Sequence, residues 1–222
     1  MFVLDGVVPQ FVPITQEALA AQVVDRLREL GGYRVVAVDG ADAAAPVEFA
    51  RRIADALRST GRPAEVVSLH DYVRPASLRM EFGSDELSYR TAWFDYDALR
   101  REVIDALHAD GRWLPALWDE TTDRSARATI RTALPATVLL IAGPMLLGRS
   151  LPFDLTIRLD MSEPALRRTT PPDLHWTLPA LRHHDESPTT PTFFTRWDHP
   201  TRLTSLLLFY PSPDHAIPNP HS

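Results

Sequence analysis

Residues 34–57 read RVVAVDGADAAAPVEFARRIADAL, and this stretch decides the fold. The β-branched run at its start predicts a buried strand, and the small residues that follow predict a loop. The segment that begins at Pro46 is amphipathic, because Phe49, Ile53 and Leu57 recur at helical spacing. Proline suits the first position of a helix, where its missing N–H would have no partner anyway. The stretch therefore predicts a strand–loop–helix unit.

That unit is the structural context of the phosphate-binding motif G-x-x-x-x-G-K-[ST]. The first glycine of the motif falls on Gly40, the second on Ala45, the lysine on Pro46 and the Ser/Thr on Val47. The lysine neutralises phosphate charge and the hydroxyl binds Mg²⁺. No other lysine can substitute, because all 23 Lys-or-Arg positions hold arginine, and Asp42 adds a negative charge to the loop. The sequence thus predicts a degenerate phosphate loop, formed by Gly40, Ala41, Asp42, Ala45, Pro46 and Val47.

Composition narrows the class of protein. A chain of 222 residues is long enough for one α/β domain with a sizeable core. The net charge of −6 argues against a nucleic-acid-binding surface, and the absence of cysteine excludes disulfides and thiolate sites. The start of the chain does not resemble a signal peptide, and no apolar run approaches the roughly 18 residues that span a membrane. We expect a cytoplasmic protein that binds neither nucleic acid nor membrane.

Helical and strand patterns alternate along the chain. Helices are predicted at 16–30, 46–58, 95–107 and 163–186 (the last broken by prolines), strands at 34–39, 64–70, 136–143, 153–161 and 192–198, and a long loop or lid at 73–95. This alternation predicts an α/β fold with a parallel sheet flanked by helices on both faces, and with strand 34–39 at its centre. We expect one domain over residues 1–205, followed by a Pro-rich tail over 206–222.

Seven segments occur in a fixed order between about residues 12 and 200: RVVAVDGADAAAP, VVSLHDYVRPASLRMEFG, FDYDALRREV, LPALWDETTDR, LLIAGPMLL, LPFDLTIRLDMSEPALRR and RWDHP. Together they resemble bacterial uridine kinases, which belong to the nucleoside kinase branch of the P-loop NTPases. The resemblance implies a P-loop NTPase architecture, a nucleoside-like ligand and, in an active member, ATP and Mg²⁺.

The chain departs from that family pattern at positions that carry chemistry. In active members the second strand ends in two acids and an aromatic residue, and the first acid accepts the proton of the nucleoside hydroxyl; the three positions here are His70, Asp71 and Tyr72. A later strand should end in an acid before glycine, but Ala142 precedes Gly143. The lid holds Pro172 where a second arginine is expected. One preorganised donor is typically worth ~3 kcal/mol of barrier, so these combined departures predict the loss of ordinary phosphoryl transfer.

Polar and aromatic residues remain where the resemblance places the nucleoside. A histidine beside a carboxylate is a common acid/base pair, so His70 and Asp71 are candidate catalytic residues. Candidate substrate-binding residues are Tyr72, Arg74, Arg79, Trp118, Asp119 and Arg124. The competing interpretation is that these groups pair with one another and close the cleft. His183 and His184 suggest a metal site, but adjacent helical residues point about 100° apart, so we expect a solvated helix end and no metal.

Three functions remain open from the sequence. The favoured one is a catalytically degenerate uridine-kinase-like protein, a pseudokinase, that needs no cofactor and binds a small nucleoside-like molecule or a protein partner. The second is an enzyme that uses the old cleft for different chemistry, with His70 and Asp71 as acid and base. The third is a divergent active nucleoside kinase that uses ATP and Mg²⁺. A homo-oligomer is compatible with each of them.

Overall fold

The computed structural model describes residues 10–81, 83–185, 190–199 and 203–207. Its strands are β1 (Gln10–Ile14), β2 (Arg34–Gly40), β3 (Ala64–Ser68), β4 (Arg112–Trp113), β5 (Trp118–Asp119), β6 (Arg124–Ser125), β7 (Arg131–Thr132), β8 (Val138–Gly143), β9 (Leu155–Asp160), β10 (Phe193–Arg196) and β11 (Leu203–Leu207). Its α-helices are α1 (Gln16–Arg28), α2 (Pro46–Ser59), α3 (Ala76–Arg79), α4 (Glu86–Thr91), α5 (Tyr96–Leu99), α6 (Ala106–Asp110), α7 (Glu163–Thr169) and α8 (Leu178–Asp185).

Seven strands form one mostly parallel sheet in the order β1-β11-β10-β9-β2-β8-β3. The run from β10 to β3 is parallel, whereas β11 pairs antiparallel with both β1 and β10. Strand β2 is the middle of the five parallel strands, and residues Val35–Val38 are fully buried because neighbouring strands and helices cover them. The predicted fold class and the central position of this strand are confirmed.

The strand–loop–helix unit forms as predicted. Pro46 is the first residue of α2, and Phe49, Ile53 and Leu57 lie on its buried face. Helix α1 packs beside α2 and begins after Thr15, whose hydroxyl accepts a hydrogen bond from the backbone N–H of Ala18. The unit therefore holds the loop between a rigid central strand and a rigid helix.

The segment 73–95 is more ordered than the predicted loop or lid. It contains α3 and α4, and α4 begins with a capping box in which Asp85 and Ser88 exchange hydrogen bonds. Tyr89 then anchors α4 in the core. The Pro, Ser and Gly content of the segment suggested a loop, but the cap and one buried aromatic residue are sufficient for a short helix.

Two small two-stranded pairings were not predicted. Strand β4 pairs with β7, and β5 pairs with β6, both antiparallel. Two-residue strands carry no measurable periodicity, so the sequence gives no signal for them. The predicted helix 95–107 is confirmed, with a π-helical stretch over Arg100–Asp105 that joins α5 to α6.

The predicted helix over 163–186 is interrupted at its prolines, as expected. The segment 163–186 divides into α7, a 3₁₀ helix over Pro172–Thr177, and α8. Strand β11 extends to Leu207, and residues 208–222 of the expected tail lie outside the described residues. Across the described ranges, none of the helices is long and apolar enough to cross a membrane.

Candidate functional site

Backbone N–H groups of the predicted phosphate loop donate hydrogen bonds to carbonyls of the same loop. Residues Asp42–Ala44 form a 3₁₀ turn, in which the N–H of Ala44 donates to the carbonyl of Ala41 and that of Ala45 donates to the carbonyl of Asp42. Pro46 has no N–H to offer. A phosphate cradle consists of N–H groups that point outward at the ligand, so three positions of this loop contribute none.

Backbone geometry at both template glycines is preserved. Ala45 has φ 51° and ψ 53°, a left-handed conformation that costs a residue with a Cβ about 1–2 kcal/mol. Gly40 has a structural reason to remain, because a Cβ there would lie 3.0 Å from Cβ of Leu159 on the neighbouring strand β9. The loop thus has a left-handed residue where the template has its second glycine, and it has neither the lysine nor the hydroxyl of the motif.

His70 joins the phosphate loop to the opposite side of the cleft. It lies in a 3₁₀ turn over Leu69–Tyr72 that directly follows β3. Its Nε2 is 3.0 Å from Oδ1 of Asp42, and its Nδ1 is 2.7 Å from Oε2 of Glu120. Carboxylate oxygens of ionised acids only accept hydrogen bonds, so both ring nitrogens must donate. The geometry therefore describes an imidazolium between two carboxylates.

The electrostatics of His70 agree with that geometry. Burial alone would lower the pKa of the ring, but the hydrogen bonds and charges of Asp42 and Glu120 outweigh burial and raise the pKa to about 10. His70 is consequently protonated at neutral pH. In this state it can donate a proton but cannot accept one.

Glu120 is the centre of the polar cluster. Besides His70, it accepts hydrogen bonds from Nη1 of Arg79 at 2.5 Å and from Nε1 of Trp93 at 3.2 Å. The Arg79 guanidinium lies over the Trp93 ring, 5.0 Å from its centroid, and only 5% of Arg79 is exposed. Burial would raise the pKa of Glu120, but His70 and Arg79 lower it below its ordinary value. The carboxylate is therefore held ionised by fixed donors.

Two predicted residues near His70 do not share this cluster. Both ring nitrogens of His70 contact other carboxylates, so Asp71 is not the partner of the ring. Burial raises the pKa of Asp71, and its backbone carbonyl accepts the N–H of Leu117. Tyr72 is fully buried, and its hydroxyl donates to the carbonyl of Leu114. Of the predicted cleft residues, the structure brings His70 and Arg79 together through Glu120.

The remaining predicted residues make their contacts within the β5–β6 hairpin or with the chain beside it. The Asp119 carboxylate accepts the N–H groups of Thr121 and Thr122, and Asp119 faces Arg124 across the two strands. Nε1 of Trp118 donates to Asp123. Arg74 is half-buried, and its N–H donates to the carbonyl of Trp93. These contacts build local structure, and Trp118 and Arg124 also line a surface cavity of about 700 Å³ with Thr122, Asp123, Ser125 and Arg127.

Sequence analysis missed Glu120 and the contact made by Asp42. Glu120 lies in the segment LPALWDETTDR, between Asp119 and the loop that ends at Asp123. The two-residue strand β5 determines which of these neighbouring acids turns toward His70. A pattern of acids near a histidine was visible, but the choice among them depends on a register that no periodicity reveals.

A second charged cluster lies buried behind the phosphate loop. One oxygen of Asp39 accepts the N–H of Leu146 at 2.9 Å, and the other lies 3.3 Å from Nε2 of His184 and 3.8 Å from Nη1 of Arg158. The three side chains are 2–7% exposed. The predicted solvated helix end was wrong for His184, which turns into the core, whereas His183 is exposed and approaches Glu86.

Aromatic side chains fill the space between α4 and the 3₁₀ helix over Pro172–Thr177. Trp176, from the 3₁₀ helix before α8, lies 5.0 Å from the ring centroid of Trp93 and 5.5 Å from that of Tyr89. Edge and tilted contacts of this kind contribute about 0.5–1.5 kcal/mol each beyond burial. The 3₁₀ helix over Pro172–Thr177 is therefore packed against α4 and Trp93.

A separate cavity of about 250 Å³ lies on the outer side of the phosphate loop. Aromatic, small and polar residues share its walls: Gln16, Ala43, Ala44, Ala45, Glu48, Phe49, Met161, Thr169, Trp197 and Asp198. Its volume is slightly below the roughly 300–1,000 Å³ of typical ligand sites, and its walls are mixed apolar and polar.

Comparison with known proteins supports the fold. No protein-family model matches the chain, and no curated protein matches its sequence. A possible uridine kinase from Bacillus stearothermophilus superposes with a TM-score of 0.62 at 17% identity, over 76% of this chain and 90% of that one. A provisionally assigned fructose transport system kinase from Silicibacter sp. TM1040 superposes with a TM-score of 0.64 at 21% identity, over 82% and 98%. The chain therefore has the fold of P-loop kinase structures.

Proposed function

We propose that this protein is a catalytically degenerate uridine-kinase-like protein, which binds a small nucleoside-like ligand or a protein partner without transferring phosphate from ATP. The observation that carries the proposal is Pro46, buried as the first residue of α2 where a phosphate loop needs lysine. A proline there supplies neither the cation nor an N–H group.

The donor set around Pro46 does not fit ATP and Mg²⁺. Val47 offers no hydroxyl for the metal, and the Asp42 carboxylate stands on the loop itself. A triphosphate brought to this loop would face a negative charge with no compensating lysine. The helix N-terminus still favours an anion, but that single effect does not replace the missing parts.

The charge of His70 also counts against the two enzymatic alternatives. A nucleoside kinase needs a proton acceptor beside the sugar hydroxyl, and a repurposed acid/base site needs a histidine that titrates near neutral pH. Asp42 and Glu120 raise the pKa of His70 well above that range, so the ring stays protonated. Asp71 lies next in sequence but does not bind the ring, so the expected pair of His70 and Asp71 lacks the contact that a base and its support require.

The contacts in the cleft support the competing interpretation, in which its polar groups pair with one another and close it. Its polar groups, Arg79, Glu120 and His70, are already paired with one another, and Trp176 packs over the aromatic residues beside them. The cavity beside Trp197 remains open to a small molecule. A ligand or partner that recognises this closed form would use the kinase fold as a binding scaffold.

Rebuilding the loop tests whether the loss is distributed over several positions. The triple variant Ala45→Gly, Pro46→Lys, Val47→Thr restores the motif, and we expect it to show no robust uridine phosphorylation with MgATP, because His70 and Ala142 still lack acids. The single variant Ala45→Gly is the matched control, since it changes the loop backbone without adding a cation. Circular dichroism checks that both variants fold. Substantial uridine phosphorylation by the triple variant would show that the loop was the sole lesion and would overturn the proposal of distributed loss.

A further inference from the structure

The two carboxylates that bind His70 are held very differently. Glu120 accepts hydrogen bonds from His70, Arg79 and Trp93, and 31% of its side chain is exposed. Asp42 lies on the phosphate loop with 53% of its side chain exposed, and it approaches His70 from the solvent side. An exposed ion pair is typically worth about 0–1 kcal/mol. Asp42 can therefore leave the ring at little cost, whereas Glu120 is fixed.

The charges around His70 define which ligand can replace Asp42. The cations of His70 and Arg79 are balanced by Glu120 and Asp123, so the Asp42 carboxylate gives the cluster a net negative charge. A bound monoanion adds one negative charge, because the displaced Asp42 carboxylate stays on its loop. A phosphate dianion would add a further negative charge close to Asp71 and Asp119. A carboxylate is also planar like the group that it replaces, and it accepts the same hydrogen bond.

We propose that Nε2 of His70 is an anion subsite for the carboxylate of a small-molecule ligand, and that Asp42 occupies this subsite in the free protein. The inference rests on the proposed function in that the cleft binds a ligand, and it adds the chemistry of one ligand group. The Phe94 ring, whose centroid lies 5.4 Å from that of His70, is 1% exposed and packs against the imidazole from within the core.

Asp42 acts on this subsite as a tethered competitor. A group held on a short loop has a high effective concentration at its binding position, in the millimolar range for flexible tethers. A ligand carboxylate must displace it before binding. Removal of the Asp42 carboxylate is therefore expected to strengthen binding, whereas removal of a residue that contacts the ligand would weaken it.

Acetate is the probe for this subsite. We expect D42A, and D42N as a second form, to bind acetate about two- to sixfold more tightly than the wild type at pH 7, because the competing exposed pair is gone. Binding is measured from acetate-dependent stabilisation and from the imidazole ¹⁵N shifts of His70, against chloride at equal ionic strength. D110A removes an exposed carboxylate at the end of α6 and should behave like the wild type. The double variant D42A/H70Q should lose the gain.

Three outcomes would overturn the proposal: equal acetate binding by D42A and wild type, retention of the gain in D42A/H70Q, or a stronger response to phosphate than to acetate. Each is independent of the proposed function. MgATP binding or uridine phosphorylation by the wild type contradicts the pseudokinase proposal without changing the acetate result. Failure of acetate to bind D42A removes the subsite and leaves the pseudokinase proposal standing.

Discussion

Asp39, on strand β2, and Asp42, on the loop that follows it, are three residues apart but lie in very different environments. Asp39, near the end of β2, is 2% exposed and is enclosed with Arg158 and His184. Asp42 is on the surface of the loop and reaches across the cleft to His70. The buried cluster ties the central strand to β9 and α8, whereas the cleft cluster ties the loop to Glu120. The first is buried in the core, and the second is partly exposed.

The largest expected effect is a difference in stability between variants of the two clusters. Asp39→Ala should lower the free energy of unfolding by about 3–5 kcal/mol, because it removes a buried carboxylate that accepts the Leu146 N–H and lies beside His184 and Arg158. Asp42→Ala should lower it by less than about 1 kcal/mol, since an exposed pair is lost. Urea unfolding of both variants gives the two values. Losses of equal size would contradict the division between a structural cluster and an exchangeable one.

A smaller effect is expected at the fixed side of the cleft cluster. Glu120→Gln should destabilise the protein by about 1–3 kcal/mol, because the buried Arg79 loses its charged acceptor. Asp119→Asn, at the neighbouring exposed acid, should destabilise it less, because an amide oxygen can still accept the N–H groups of Thr121 and Thr122. Thermal or urea unfolding measures both variants. If Asp119→Asn proved the more costly, Glu120 would not be the centre of the cluster.

The pH dependence of stability tests the charge of His70. Its pKa in the folded protein, about 10, is higher than the ordinary value of 6.5 in the unfolded chain. The stabilisation is therefore complete below pH 6.5 and is lost as the pH rises toward 10. Wild type should lose stability over this interval relative to His70→Gln, measured by urea unfolding at about pH 6.5, 8 and 9.5. Parallel curves for the two proteins would mean that His70 is not held protonated.

The smallest effect concerns the loop backbone. Ala45→Gly should stabilise the protein by up to about 1 kcal/mol, because glycine adopts the left-handed conformation of Ala45 without strain. Ala43→Gly, within the 3₁₀ turn at negative φ, should instead destabilise it by roughly 0.5–1 kcal/mol. Differential scanning calorimetry resolves the opposite signs. A shared sign would show that residue 45 does not hold the conformation of the motif's second glycine.

Much of the fold was predictable because long elements carry strong patterns. The apolar run of β8 and the helical spacing after Pro46 each specify one structure, and both form as predicted. The candidate site was predictable only in part. His70 was found, but its partner Glu120 depends on the register of a two-residue strand, and the burial of His184 depends on how α8 packs against β2. Such tertiary choices leave no local pattern in the chain.

Calorimetric titration of the wild-type protein with MgATP, with and without uridine, tests the central claim most directly. The account predicts no heat attributable to triphosphate binding and no uridine phosphate product, because the loop offers Pro46, Val47 and Asp42 to the phosphates and metal. Saturable MgATP binding, together with transfer of phosphate to uridine, would contradict it.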